Sequence, residues 1–264
     1  MMKRGDARFY QMDFPGAYLK GDLPTEIYLR MNKATVDILK KSHPEVIPDI
    51  RADGTLISRI QKALYGLKES GKIFRDLSVE VLKEFGLIQL DSHPCIFKKI
   101  LPDGKYIDAC MYVDDLLLVS NDELEVASCV SHCEKVFPGI ELIHTYMQPP
   151  ISFLGMSILF DYKNKIIRYN TTMYIEELCA KYEVEIGSKM LFTQGLMKSD
   201  QNDELMQDPL EYESLVMALF YVAKKCRPDI LFPVAYLATE SESPTQEILD
   251  KAFLVLYMRP RTWN

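Results

Sequence analysis

Tyr112-Val113-Asp114-Asp115, set inside the apolar run from Ile107 to Val119, decides how this chain is read. Two adjacent carboxylates among residues patterned as buried strand are costly, because a buried charge must be paired, bound to a cation or neutralised. Ala109-Cys110-Met111 before the pair and Leu116-Leu117-Leu118-Val119 after it are apolar enough for two short strands. That puts the acids in or beside the tight turn of a hairpin. Asp is a common turn residue, so an ordinary turn is one reading; the favoured two-residue turns, however, take Asn-Gly or Asp-Gly and rarely two acids. A cation at the hairpin tip is the other reading.

Working outward, Arg8-Phe9-Tyr10-Gln11-Met12-Asp13-Phe14 has the pattern of a strand stopped by Pro15-Gly16, which leaves Asp13 at the strand tip. Residues 31 to 55 are polar and irregular, and the spacing from Leu56 to Phe85 predicts a long helix broken near Gly66 and Gly71. Cys95 to Lys99 and Tyr106 to Met111 flank Pro102-Asp103-Gly104 as a hairpin that leads into the acidic turn. Asn121 is placed to cap a helix running to Phe137, closed by Pro138-Gly139. Through Tyr146 the order is strand, helix, strand, strand, helix, strand. This is the split βαβ pattern, with an antiparallel sheet, helices on one face and the acids at one edge.

Beyond it, Ile151 to Phe160 and Lys165 to Asn170 form a further hairpin, and Thr171 to Tyr182 a helix. Asp208-Pro209 with Glu211, Arg227-Pro228-Asp229 and Ser243-Pro244 with Gln246 each read as helix starts. The expected fold class is thus α+β followed by a helical region, divided as 1–186, a linker over 187–207, and 208–264.

Composition bounds the function. The 264 residues are 48% hydrophobic and 26% charged, with 12 Gly and 14 Pro, as in a globular protein. No apolar run approaches the eighteen or so residues of a membrane span, and Met1-Met2-Lys3-Arg4-Gly5-Asp6 leads into no apolar core. The expectation is an intracellular protein, neither secreted nor membrane-bound. Six scattered cysteines without a Cys-x-x-Cys pair read as reduced thiols, and Cys129, His132 and Cys133 lack a fourth metal ligand. The net charge of −7 argues against nonspecific coating of nucleic acid. Its distribution is uneven: Arg51 to Arg75 holds six basic residues against two acidic, and Met111 to Pro150 holds seven acids against Lys135 alone. A phosphate substrate handled by metal ions fits that division, and so does a solvated helix face.

A split βαβ unit brings its first strand beside the central hairpin, so Asp13 can meet Asp114 and Asp115. Hard carboxylate oxygens with phosphate nearby suit Mg²⁺. A pair of such ions about 4 Å apart supports in-line phosphoryl transfer. A solvated strand end is the competing account of Asp13.

Five blocks in order carry a resemblance. They are Gln11-Met12-Asp13 through Ala17-Tyr18-Leu19-Lys20-Gly21-Asp22-Leu23 with Glu26-Ile27-Tyr28; Lys62-Ala63-Leu64-Tyr65-Gly66-Leu67-Lys68-Glu69-Ser70-Gly71; Tyr112 to Asp115; Phe153-Leu154-Gly155-Met156; and Cys226-Arg227-Pro228-Asp229-Ile230. Together they resemble the reverse transcriptases of Ty1/copia-type LTR retrotransposons, in the palm and thumb portion of a Pol polyprotein. The resemblance implies an RNA-directed DNA polymerase of two-metal type, using Mg²⁺ with Mn²⁺ as a substitute, on dNTPs and an RNA or DNA template-primer. It implies that Asp13 and Asp114 bind the metal ions, that Asp115 supports them, and that the Phe14 carbonyl adds a ligand. Tyr18 falls where the family places an aromatic ring under the sugar, with core packing as the alternative account. Tyr65, Gly66 and Lys68 would line the nucleotide and template, and Phe153, Leu154, Gly155 and Met156 would form the primer grip. His144 is a candidate for protonating pyrophosphate.

The departures from the family also matter. Glu69 stands where the family usually has Gln, and Met31-Asn32-Lys33-Ala34 replaces a proline-rich stretch. Twelve residues precede Asp13, which implies that the upstream fingers strands, like the RNase H domain, lie in other parts of a polyprotein. An inactive remnant that keeps the fold and binds nucleic acid is the alternative to the polymerase. A small-molecule phosphotransferase is a third class.

Overall fold

Phe9, Tyr10, Gln11 and Met12 are all buried, as in a strand covered on both faces, and they form strand β1 (Arg8–Asp13). The computed structural model describes residues 7–146, 150–184, 205–206 and 209–257. The chain divides into two compact units, Met1–Gln148 and Pro149–Asn264.

In the first unit a six-stranded antiparallel sheet is built from β1 together with β4 (Ile88–Leu90), β5 (His93–Ile100), β6 (Tyr106–Tyr112), β7 (Asp115–Ser120) and β8 (Glu141–His144). The order across the sheet is β4-β5-β6-β7-β1-β8. Helices α2 (Ser70–Glu84) and α3 (Glu123–Glu134) follow β1 and β7 in sequence. Phe74, Val81 and Leu82 of α2 and Val126, Cys129 and Cys133 of α3 join Tyr10, Met12, Phe97, Ile107, Leu116 and Leu118 in one core cluster. Cys129 and Cys133 are core residues, and His132 lies beside Phe85 with Glu84 3.9 Å away. Asp122 caps α3 by accepting from the Leu124 and Glu125 N–H groups, one residue later than Asn121. Asn121 instead accepts from the Tyr106 N–H at 2.9 Å and ties the start of β6 to the end of β7.

The stretch between β1 and α2 differs from the helical spacing read in the sequence. It holds β2 (Asp22–Met31), α1 (Lys33–Ser42) and β3 (Leu56–Lys62), with β2 and β3 paired antiparallel. Ile57 and Ile60 favour strand, and the ladder with β2 satisfies backbone groups that an exposed amphipathic helix would satisfy internally. Helix starts only after Gly66, whose φ of 93° turns the chain.

In the second unit β9 (Ile151–Phe153), β10 (Met156–Asp161) and β11 (Ile166–Asn170) form a three-stranded sheet. Helices α4 (Thr172–Lys181), α5 (Pro209–Lys225), α6 (Leu231–Thr239) and α7 (Gln246–Leu256) bury Ile175, Leu178, Tyr212, Leu215, Val234, Leu237, Ile248 and Ala252 in a second cluster. Because α4 packs in that cluster, residues 149–186, grouped by sequence with the first domain, fall in the second unit. The expected linker lies mostly outside the described residues, as do the Asp208 cap and the residues beyond Tyr257. Between α5 and α6 the buried Arg227 guanidinium grips the Asp229 carboxylate through two donors at 2.8 Å, which fixes the turn.

Candidate active site

The acids meet through strand register. Asp13 ends β1 directly opposite Asp115, the first residue of β7, and on its other side lies opposite Glu141, the first residue of β8. Tyr112 pairs with Asp115, so Val113-Asp114 is a two-residue hairpin turn at the same end of the sheet. Val113 has φ of 52° while Asp114 is absent from the positive-φ residues, the sign pattern of a type II′ turn. A β-branched residue there is strained, since that position favours glycine. Four carboxylates therefore share one sheet edge.

Their electrostatics follow from that crowding. Burial raises the Asp13 carboxyl above its ordinary range, Asp114 and Glu141 add to the rise, and the Phe14 N–H opposes it. Burial also raises Asp115, with Asp114 and Asp13 adding, while a hydrogen bond from Gln11 Nε2 at 3.3 Å opposes the rise. Among the described residues no Lys or Arg forms an ion pair with Asp13, Asp114, Asp115 or Glu141. Among the described residues no group of three or more His, Cys, Asp or Glu is placed to hold a metal ion. The donor set nevertheless suits Mg²⁺, which takes one or two carboxylates and completes its shell with water and substrate phosphates.

Tyr18 and Tyr65, 47 positions apart in sequence, meet with ring centroids 4.5 Å apart, edge to face. Burial raises the Tyr65 hydroxyl, and Asp114, Tyr18 and Asp13 raise it further, so this ring lies in the field of the acids. Tyr18 also touches Phe74, at 5.8 Å, and through it the Phe14 and Phe137 rings. Both accounts of Tyr18 therefore have contacts behind them: it packs on the core and it borders the site. The Phe14 carbonyl accepts from the Ala17 N–H at 3.2 Å, which leaves one lone pair.

Gly21 joins the first block to the second. A β-carbon there would come within 2.3 Å of Ile73 Cγ2 in α2, and the Gly21 carbonyl accepts from the Ala63 N–H at 3.0 Å. Gly66 has open space at its Cα, and the exposed Lys68 has no acid partner among the described residues. The basic band is partly neutralised by the chain itself: Arg59 pairs with Glu26, Lys62 with Asp22 and Arg75 with Asp76. Glu69 accepts from the Thr25 hydroxyl at 2.8 Å, which holds its charge beside β2.

Glu141 was counted among the acids of its segment but not assigned to the site. The signal was the topology: the fourth strand of a split βαβ unit runs antiparallel to the first, so its first residue meets the last residue of β1. His144 sits at the other end of β8, opposite Tyr10, with Nδ1 3.1 Å from the Tyr146 hydroxyl and the Tyr10 ring edge-on. Three strand residues, roughly 10 Å, separate it from Glu141, and its ring contacts those of Tyr10 and Tyr146.

In the second unit Phe153 and Met156 pair across the turn Leu154-Gly155, where φ is 53° and 68°, as in a type I′ turn.

Residues 3–190 match the family model described as reverse transcriptase (RNA-dependent DNA polymerase). The Retrovirus-related Pol polyprotein from transposon TNT 1-94 of Nicotiana tabacum is 23% identical over 266 residues, which cover 97% of this chain and 19% of that protein. The Truncated transposon Ty1-A Gag-Pol polyprotein of Saccharomyces cerevisiae is 24% identical over 270 residues, covering 96% of this chain and 21% of that protein. A solved telomerase from Candida albicans aligns with 96% of this chain and 45% of its own at 12% identity and a TM-score of 0.34. The chain spans about a fifth of the length of these two relatives. With the family model matching most of its residues, the chain belongs to the reverse transcriptase (RNA-dependent DNA polymerase) family.

Proposed function

We propose that this chain is the palm and thumb portion of a copia-type retrotransposon Pol polyprotein and that it transfers a nucleotidyl group from a dNTP to a primer 3′-OH on an RNA template. The observation that carries the proposal is the convergence of Asp13, Asp114 and Asp115 at one sheet edge, where none of them is ion-paired with a Lys or Arg among the described residues. The strand order β6-β7-β1-β8, with a helix after β1 and another after β7, supports the palm reading.

In this reading Asp13 and Asp114 hold two Mg²⁺ ions, with Asp115 in a supporting role and the free lone pair of the Phe14 carbonyl as an added donor. The bound ions supply charge neutralisation for the attacking and leaving oxygens. The chain's own part is positional. Tyr18, braced by Phe74 and Tyr65, presents a ring edge that crowds a ribose 2′-OH and admits a deoxyribose. Lys68 meets phosphate charge, and Gly66 lets template or nucleotide approach the backbone. Phe153 to Met156 hold the primer strand. The reaction takes place inside the cell, with the remaining parts of the polyprotein as partners.

Primer extension on an RNA template with Mg²⁺ or Mn²⁺ tests the reading, with Asp114→Asn as the control. Template-dependent incorporation by the parent chain and none by the variant is expected. Equal incorporation by both overturns the catalytic assignment, incorporation by neither favours an inactive remnant that retains the fold, and turnover without template favours a small-molecule phosphotransferase.

A further inference from the structure

The turn Leu154-Gly155 is held from outside the hairpin. The Tyr221 hydroxyl of α5 donates to the Leu154 carbonyl. A β-carbon at Gly155 would lie 2.9 Å from that same hydroxyl, so glycine is needed both for φ of 68° and for the approach of the ring. The Tyr221 ring is braced by Tyr174 of α4, with centroids 5.0 Å apart, and the Lys225 ammonium stands 5.9 Å from its centroid. All these residues belong to the second unit. The β9–β10 pairing is short: β9 has three residues and, among the described residues, Met156–Phe153, Ser157–Ser152 and Ile158–Ile151 pair across it. β11 supports the far side of β10, so β9 and the 154–155 tip lie on the other side of β10, where the sheet itself holds them by these short pairings.

We propose that Tyr221 is a positioning residue for primer binding: its hydroxyl fixes the tip of the 153–156 hairpin, and so sets how tightly the recessed end of a primer is held. This rests on the reading of that hairpin as the primer grip. Tyr221 does not touch the reacting atoms; it acts through the Leu154 carbonyl and the shape of the turn. Its effect is therefore specific to the primer terminus and leaves nucleotide affinity alone.

Tyr221→Phe removes the hydroxyl and keeps the ring against Tyr174, so the helical cluster stays folded. Two measurements test the proposal on the full chain: hydrogen exchange of the 151–158 amides, and release of a labelled DNA primer with a recessed 3′ end on an RNA template, compared with a blunt duplex of equal length. Loss of one hydrogen bond is expected to speed exchange in the hairpin about tenfold and to speed release of the recessed primer severalfold, with release of the blunt duplex unchanged. Gly155→Ala supplies a second arm. It clashes with the hydroxyl, so its effect on release is expected to be smaller in the Tyr221→Phe background than in the parent. A parent chain that discriminates recessed from blunt ends while Tyr221→Phe behaves identically overturns the role of Tyr221. A parent chain that releases both duplexes alike overturns the primer-grip reading and the proposal with it, and the exchange data then show whether the tether itself exists.

Discussion

Asp13 faces Asp115 across the β1–β7 ladder and Glu141 across the β1–β8 ladder, so the last residue of β1 is flanked on both sides by carboxylates. Like charges directly opposite are destabilising in a sheet, and they raise the pKa of the groups involved. The site is held together by the hydrophobic residues behind it, Met12, Leu116 and Leu118, all fully buried, against the repulsion at its edge.

That opposition gives a stability prediction with a definite sign. Asp13 and Asp115 have folded-state pKa values raised above the ordinary carboxylate value. A raised acid binds its proton more tightly in the folded than in the unfolded state, so its contribution to stability falls as pH rises through the unfolded and then the folded value. Asp13→Asn is therefore expected to melt at a higher temperature than the parent at pH 7. The gap should close as pH falls below about 4, where the parent acid is protonated in both states. Thermal melts across pH without added divalent ions check this, and a variant that melts lower at pH 7 contradicts it. The gain is modest because both groups are partly solvated.

Glu141 supplies a separable part of the same effect. Its charge raises Asp13, so Glu141→Gln is expected to lower the Asp13 pKa while the β1–β8 register stays as it is. Carboxyl carbon titration by NMR reads the pKa directly. An unchanged Asp13 midpoint would show that Glu141 stands too far out in solvent to matter.

How much of this was legible in the sequence depended on whether a residue answers to local pattern or to pairing. The acidic hairpin was legible because two charges interrupt an apolar run, and α5 and α7 were legible from the Pro209 and Ser243-Pro244 signals at their starts. The β2–β3 ribbon was not. Leu56, Ile57 and Ile60 fall at spacings compatible with either helix or strand, and only the partner strand, 40 positions away at the Asp22–Lys62 pair, decides between them. Glu141 was hidden for the same reason: its importance comes from which strand it neighbours. Tyr221 carries no local signal at all, since on a helix it reads as one more aromatic residue in a buried stripe.

Gly21 should be among the least tolerant positions in the first unit. Its missing β-carbon lets the turn after the short 3₁₀ helix Ala17–Lys20 lie against Ile73 of α2. Gly21→Ala is expected to destabilise the fold by about 1–3 kcal/mol through overpacking. Ile73→Ala in the same chain should recover part of that loss, because it removes the atom that the new methyl meets. Chemical denaturation of the two single variants and the double variant measures the coupling. Strictly additive losses would place the strain elsewhere.

Val113 shows strain at the site itself. Its φ of 52° is unfavourable for a β-branched residue, and the residue is 43% exposed, so burial compensates only in part. Val113→Gly removes a conformational cost of about 1–2 kcal/mol and adds an unfolded-state entropy cost of about 0.5–1 kcal/mol. The balance favours a small gain in stability, visible as a higher denaturation midpoint. A loss instead would mean that the valine methyls make contacts that outweigh the strain.

Glu69 gives a functional prediction that depends on the polymerase reading. Its carboxylate accepts from the Thr25 hydroxyl at 2.8 Å, and a glutamine carbonyl can accept the same bond, so Glu69→Gln keeps the tether between β2 and the start of α2 while removing one negative charge. Lys68 and Lys72 lie nearby in sequence without acid partners among the described residues, so the local field becomes more positive. Binding of an anionic template-primer should tighten because one repulsive charge is removed, while the salt dependence of binding should change little, since no basic residue is released from a pair to meet phosphate. Titrations of a labelled template-primer at several salt concentrations measure both effects. The Glu69→Ala variant separates charge from tether: if charge controls binding, Ala and Gln variants bind alike, whereas if the Thr25 bond orders the loop, only the Gln variant gains affinity. Weaker binding by Glu69→Gln than by the parent would remove this segment from the nucleic-acid path.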